Sequence, residues 1–245
     1  MHADWIVPDW PAPGRVRAVS TTRHGGVSKG PYSSLNLGQH VGDDPAAVAE
    51  NRRRLMETLG LKQEPRWLQQ VHGTRVASLE GVPVAEAADA AVTARAGEAC
   101  VIMTADCLPV LFSDRKGMKV GAAHTGWRGL SAGVLQATVK ALGSPPAELL
   151  AWLGPAIGPL AYEVGDEVRQ AFIVRDAAAA QAFKPGKAAG KWWCDLHMLA
   201  RQRLEAMGVS SIYGGEWCTL KDQERFFSYR REGECGRMGT FIWME

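Results

Sequence analysis

The chain has 245 residues, 46% hydrophobic and 22% charged, with a formal net charge of +2 at pH 7. That is long enough for a sizeable core and too nearly neutral to suggest a nucleic-acid or membrane-surface partner held by bulk charge. No apolar run approaches the ~20 residues of a membrane span.

The first residues carry neither a basic nor an apolar leader region. The five cysteines are odd in number and include no Cys-x-x-Cys pair, so reduced thiols in a cytoplasmic protein are expected. No repeat or linker divides the sequence, and a single domain over residues 1–245 is expected.

Residues 15–21 alternate apolar and polar side chains and predict a strand. Residues 23–28 and 31–38 are rich in Gly, Ser and Asn and predict a loop with special backbone angles. Asp44 as cap and Pro45 at the first position start a helix that runs to about Leu59 and stops at Gly60. Residues 65–71 predict a short strand ending at His72-Gly73, and 88–92 and 99–104 two more. Residues 110–113 and 120–123 read as a hairpin around 114–117.

From Leu130 a 3.6-residue period through Val134, Leu135, Thr138, Val139 and Leu142 predicts a helix ending at Gly143. A buried strand at 149–153 leads into the stiff loop 154–159. Helices follow at about 165–172 and 195–207, the second capped by Asp195 and stopped by Gly208. Residues 176–190 read as a helix end and an exposed loop, and 211–214, 226–230 and 238–243 as the last strands. Without strict βαβ alternation, the class is α+β with a mixed sheet.

Cys107 and His124 stand at the polar ends of apolar runs, which fits either a cysteine–histidine nucleophile or part of a metal site. His72 follows Val71 and precedes Gly73 in the same manner. Three strand ends carrying His72, Cys107 and His124 fit a three-ligand zinc or copper site with an open fourth position. An inert buried thiol is the ordinary state of a free cysteine, but Asp106 and Pro109 beside Cys107 do not suit a plain core strand. His2, His24, His40 and His197 are read singly as structural or solvated.

Gly126-Trp-Arg-Gly129 precedes the helical period, so Arg128 and the first amides of that helix form a candidate anion site. Arg23 and Asn36 lie in the Gly-rich loop, and the segment Phe227-Ser-Tyr-Arg-Arg231 offers Tyr229 and two guanidiniums. Satisfying loop carbonyls is the competing reading for Arg23 and Asn36.

These segments together resemble the YfiH-like, laccase-domain proteins, also called peptidoglycan editing factors. The resemblance is carried by Ser20-Thr-Thr-Arg-His-Gly-Gly-Val-Ser28, Ser34-Leu-Asn-Leu-Gly38, Gln70-Val-His-Gly73, Thr104-Ala-Asp-Cys-Leu-Pro-Val110 and His124-Thr-Gly-Trp-Arg-Gly129. Trp152-Leu-Gly-Pro-Ala-Ile-Gly158, Phe226-Phe-Ser-Tyr-Arg-Arg231 and Gly236-Arg-Met238 complete it, so nearly the whole chain is covered.

The resemblance implies a layered α/β sandwich with mixed sheets, the YfiH-like or CNF-like fold, and His72, Cys107 and His124 as metal ligands. It implies zinc, with copper as the alternative metal, and phosphorolysis of adenosine, inosine and S-methyl-5′-thioadenosine to base and (methylthio)ribose 1-phosphate. It also implies deamination of adenosine, for which zinc so ligated would activate a water. Arg23, Asn36, Arg128 and Tyr229 are then the candidates for holding nucleoside and phosphate. A monomer acting on these small molecules is expected.

Three other readings stay open: a copper-dependent phenol oxidase, a metal-free cysteine hydrolase or amidase editing cell-wall precursors, and a non-enzymatic partner domain. Six scattered histidines are few for several coppers, and His72 is dispensable only in the hydrolase.

Overall fold

The computed structural model describes residues 2–80 and 87–245. Met1 and residues 81–86, which belong to the expected single domain, lie outside the described residues. The first half of the chain forms β1 (Val16–Ser20), α1 (Pro45–Leu59), β2 (Val76–Ser78), β3 (Ala90–Thr93), β4 (Cys100–Thr104), β5 (Leu108–Asp114) and β6 (Val120–Thr125). Next come α2 (Trp127–Ala132), α3 (Val134–Leu142), β7 (Leu149–Leu153), β8 (Glu163–Gly165) and α4 (Asp166–Ile173). The rest supplies β9 (Phe183–Pro185), β10 (Lys191–Cys194), α5 (Leu196–Ala206), β11 (Ser211–Gly214), α6 (Tyr229–Glu232) and β12 (Met238–Met244).

Among the described residues the strands make a six-stranded mixed sheet, β11-β7-β5-β6-β3-β2, and two three-stranded sheets, β1-β12-β4 and β8-β10-β9. In the large sheet β11 runs parallel to β7 and β2 to β3, while the central pairs are antiparallel. Strand side chains alternate between faces, and the alternation here separates two cores. Val110 and Phe112 of β5 join Leu130, Val134, Leu135 and Val139 of α2 and α3, Phe172 of α4 and Leu199 of α5. Leu111, between them, faces Ile102 and Ile242 of the β1-β12-β4 sheet. The other face of that small sheet, with Val101, Phe241 and Trp243, packs on Leu35 and Leu37 of the Gly-rich loop and Leu55 of α1. The order of layers is therefore helices, large sheet, small sheet, α1.

The α1 boundaries follow the expected signals: Asp44 accepts from Ala46 N and Gly60 ends the helix with φ of +66°. Four expectations are corrected. Residues 65–71 make no strand, only a bridge at Gln69 to Ala87. Instead the Gln70 amide takes both backbone groups of Met103, each at 2.8 Å, so a side chain replaces the ladder. The helix expected from Leu130 is two helices, broken at Gly133 with φ of +110°. Residues 226–230 are not a strand, because Ser228 caps the short helix α6. Within 176–190 the expected loop contains β9, whose pairing with β10 builds a sheet that composition did not reveal. Among the described residues, no helix is long and apolar enough to cross a membrane.

Asn51 of α1 holds the Gly-rich loop in place. Its Nδ2 lies 2.9, 3.2 and 2.8 Å from Ser28 Oγ, Ser34 O and Asn36 O, and its Oδ1 accepts from Val27 N at 2.8 Å. Asn51→Ala leaves these buried groups unpaired and is expected to cost about 2–3 kcal/mol. A thermal melt should show Tm lowered by roughly 5–10 °C; an unchanged Tm would remove this residue from the loop's support.

Candidate metal centre

His124 is carried by β6, in register with Pro109 of β5. Cys107 lies in the turn between β4 and β5, and His72 in a turn where its own φ is +60°. The expected three strand ends are thus one strand and two turns. Each turn is held by a buried aspartate. Val71, His72 and Gly73 all donate their backbone N–H groups to the Asp89 carboxylate, at 3.2, 2.8 and 2.6 Å. Three amides converging on one anion form a concave nest, which accommodates the left-handed backbone at His72.

The same carboxylate accepts from His124 Nδ1 at 2.8 Å, and Asp89 O accepts from His124 N at 2.7 Å. This fixes Nδ1 as the donor to Asp89 and turns Nε2 toward the Cys107 thiol, the arrangement in which a carboxylate orients a metal-ligating histidine. Asp106, before Cys107, takes φ of +93°. Its carboxylate accepts from Thr219 Oγ1 at 2.6 Å and Arg230 N at 2.7 Å, and its carbonyl from Ile157 N at 2.9 Å.

The ligand atoms of His72, Cys107 and His124 lie within 4.8 Å of one another. Cys107 Sγ is 3.8 Å from His72 Nε2, and the two imidazole centroids are 4.7 Å apart at 71°. Ligands of one tetrahedral zinc stand roughly 3.3–3.6 Å apart given its bond lengths, so the residues present fit a metal ion with little adjustment. Gly126 makes the closeness feasible, since a Cβ there would stand 2.8 Å from His72 Cδ2 and 3.0 Å from Cys107 Sγ.

Burial opposes charge on both Cys107 and His124, yet each supplies the other's counter-charge. The thiol is brought down to about 6 by the imidazoles of His124 and His72, and His124 is pushed up to about 9 by the thiolate and Asp89. Burial also opposes charge on Asp89, but the bond to His124 and the turn amides hold its carboxyl below its ordinary value.

The three ligands open onto a cavity of about 450 Å³ lined also by Met103, Ile157, Tyr162, His40, Tyr229, Arg230 and Arg237. Tyr229 was expected there. Arg23, Asn36 and Arg128 do not line the cavity. Arg23 donates to Ser33 O, pairs with Glu232 at 2.9 Å and lies over Phe227, tying the loop to the segment before α6. Asn36 is buried and accepts from Gly38 N and Arg237 N. Arg128 is exposed on α2 and lies over Trp127.

The sequence reading passed over Asp89, whose signal is a lone acid among small apolar residues, and His40, read singly as solvated. Burial and then the nearby Arg237 and Arg52 hold the His40 imidazole below its ordinary value.

A metal ion must displace the His124 proton but finds Cys107 already ionised above about pH 6. Metal uptake between pH 6 and 9 should therefore release about one proton, and affinity should rise about tenfold per pH unit. Below pH 6 the thiol holds a second proton and the dependence steepens. Calorimetric titration in buffers of different ionisation enthalpy measures this; uptake without proton release at pH 7.5 contradicts the ion pair. Asp89→Asn should bind zinc roughly 10–100-fold more weakly by equilibrium dialysis.

A family model described as multi-copper polyphenol oxidoreductase laccase matches residues 17–245. The chain is 56% identical over 241 residues to a Pseudomonas aeruginosa protein named purine nucleoside phosphorylase, with 98% of each covered. It is 54% identical over 240 residues to the purine nucleoside phosphorylase YfiH of Escherichia coli, again covering 98% of each. Among solved structures, a Neisseria meningitidis protein at 49% identity matches with a TM-score of 0.95 over 99% of both chains. YlmD from Geobacillus stearothermophilus, 35% identical, matches at 0.82 over 95% of this chain and 93% of its own. With matches of this extent in sequence and in fold, the chain belongs to the laccase-like YfiH family.

Proposed function

We propose that this protein is a zinc-dependent purine nucleoside phosphorylase. It cleaves adenosine, inosine and S-methyl-5′-thioadenosine to free base and (methylthio)ribose 1-phosphate, and deaminates adenosine at the same centre. The observation that carries this reading is the ligand set His72, Cys107 and His124 opening onto a cavity of about 450 Å³. That size lies within the range of small-molecule sites, and the relatives named above bear the name purine nucleoside phosphorylase.

Bound by these residues, the metal supplies Lewis-acid polarisation of an oxygen in the site. The chain's own groups do the rest. Asp89 keeps His124 Nε2 aimed at the centre, Met103 and Ile157 offer an apolar wall to a planar base, and Tyr229 gives it a stacking face at the mouth. Among the described residues, one group of three donors is found, which suits a single ion better than the several of a multi-copper oxidase. We place the activity in a single-domain, cytoplasmic monomer, supported by cysteines that are all free thiols.

A second reading rests on a specific observation. The ligand atoms of Cys107 and His124 lie within 4.8 Å, and the imidazoles hold the thiol below its ordinary value, which without metal would suit a cysteine nucleophile with His124 as its base. His72 separates the two. With adenosine and phosphate, the zinc-loaded protein should yield adenine and ribose 1-phosphate, and His72→Ala should lose bound zinc and turnover together. Full activity in metal-free His72→Ala would establish the nucleophile instead.

A further inference from the structure

Two guanidiniums line the cavity that the metal ligands share, those of Arg230 and Arg237. Each is anchored through Nη1. Arg230 Nη1 donates to Glu163 O at 2.8 Å, and Arg237 Nη1 donates to Cys235 O at 2.8 Å and Gly236 O at 3.1 Å. The Nε and Nη2 groups of both have no protein acceptor among the described residues, and neither guanidinium pairs with a carboxylate there. Other arginines nearby have a carboxylate partner: Arg23 and Arg231 share Glu232, and Arg225 pairs with Asp222.

Both side chains also lie against tyrosine rings that line the same cavity. Arg230 lies 5.1 Å from the Tyr162 ring centroid and Arg237 5.8 Å from that of Tyr229. Their backbones are pinned in turn, Arg230 N by Asp106 Oδ2 at 2.7 Å and Arg237 N by Asn36 Oδ1 at 2.9 Å. A guanidinium fixed at one corner and against a ring presents its Nε–Nη2 edge, the fork that matches two oxygens of a phosphate. Two such forks, unpaired with any carboxylate among the described residues, line one cavity, the exposed Arg230 at its solvent side and the half-buried Arg237 with it, and favour an anion there.

We propose that Arg230 and Arg237 form an oxoanion clamp that takes a phosphate group into the cavity beside the metal ligands. Asn36, expected from sequence to touch substrate, acts at one remove by holding Arg237. The naming of phosphate rests on the phosphorylase reading; the clamp itself rests on the two unused forks. The phosphate has two chemical sources, inorganic phosphate as co-substrate or the phosphate ester of a nucleotide.

The test is calorimetric titration of the zinc-loaded protein with inorganic phosphate, with the free base hypoxanthine in the cavity so that no cleavage can occur, and separately with adenosine 5′-monophosphate. Arg230→Gln and Arg237→Gln should each weaken phosphate roughly 10–100-fold, with zinc content unchanged. The corresponding Lys variants should restore only part of the loss, because they keep the charge without the fork. Phosphate binding to the hypoxanthine complex identifies the co-substrate. Arginine-dependent nucleotide binding tighter than that of adenosine, with phosphate as competitor, identifies the ester.

The clamp is overturned if wild type binds neither anion, or if the Gln variants bind both as wild type does. Should a Gln variant fail to fold, its Lys counterpart decides by the same measurement, and wild-type affinity there also overturns the clamp. Nucleoside cleavage by wild type distinguishes the two claims. Arginine-dependent phosphate binding without cleavage leaves the clamp standing and removes the phosphorylase; cleavage insensitive to both arginines does the reverse.

Discussion

The buried carboxylate of Asp89 accepts three consecutive backbone N–H groups from the turn at residues 71–73 and the Nδ1 proton of His124. A fully buried charge is costly unless its lone pairs are filled, and here four donors fill them. Both histidines of the centre therefore take their positions from one group, His72 through its main chain and His124 through its ring. Asp89 stands immediately before β3, whose register with β6 sets Ala90 against Ala123. The large sheet thus delivers the carboxylate to His124, and the turn is assembled around it.

The third ligand depends on a different aspartate with the same logic. Asp106 joins the Cys107 turn to the loops at Ile157 and Thr219 and to the backbone of Arg230. The thiolate end of the site and its cationic wall are thereby set by a single residue with a left-handed backbone. The thiol of Cys107, held below its ordinary value by the imidazoles, and the guanidiniums of Arg230 and Arg237 then face one cavity. A polarised, anion-accepting cavity results from ordinary packing constraints on two buried acids.

Much of this was legible in the sequence, and the exceptions share a cause. The α1 helix and the β7 strand announce themselves through local signals, a cap with proline and a short apolar run, and they lie where expected. His72, Cys107 and His124 were legible because each residue type is chemically conspicuous beside Gly or Pro. Asp89 was not, because what makes it a functional residue is its partners, which lie 16 to 35 residues away in sequence. Arg23 and Arg237 look alike as letters; only tertiary structure shows that Glu232 pairs with one, while no carboxylate among the described residues pairs with the other. The strand expected at 65–71 failed because a Gln side chain supplies the pairing that the pattern attributes to backbone.

β12 is the middle strand of the β1-β12-β4 sheet, paired with β1 from Val16↔Met244 to Ser20↔Thr240 and with β4 on its other edge. During synthesis β1 and β4 leave the ribosome long before their shared partner exists. Their unpaired edges and the apolar faces around Val101 and Ile102 must wait, exposed to aggregation or in need of a chaperone. Pairing across more than 200 residues is also entropically slow, which gives this chain the kinetics of a high-contact-order folder. Arg237 immediately precedes β12, so the cavity wall closes only when the last strand has entered.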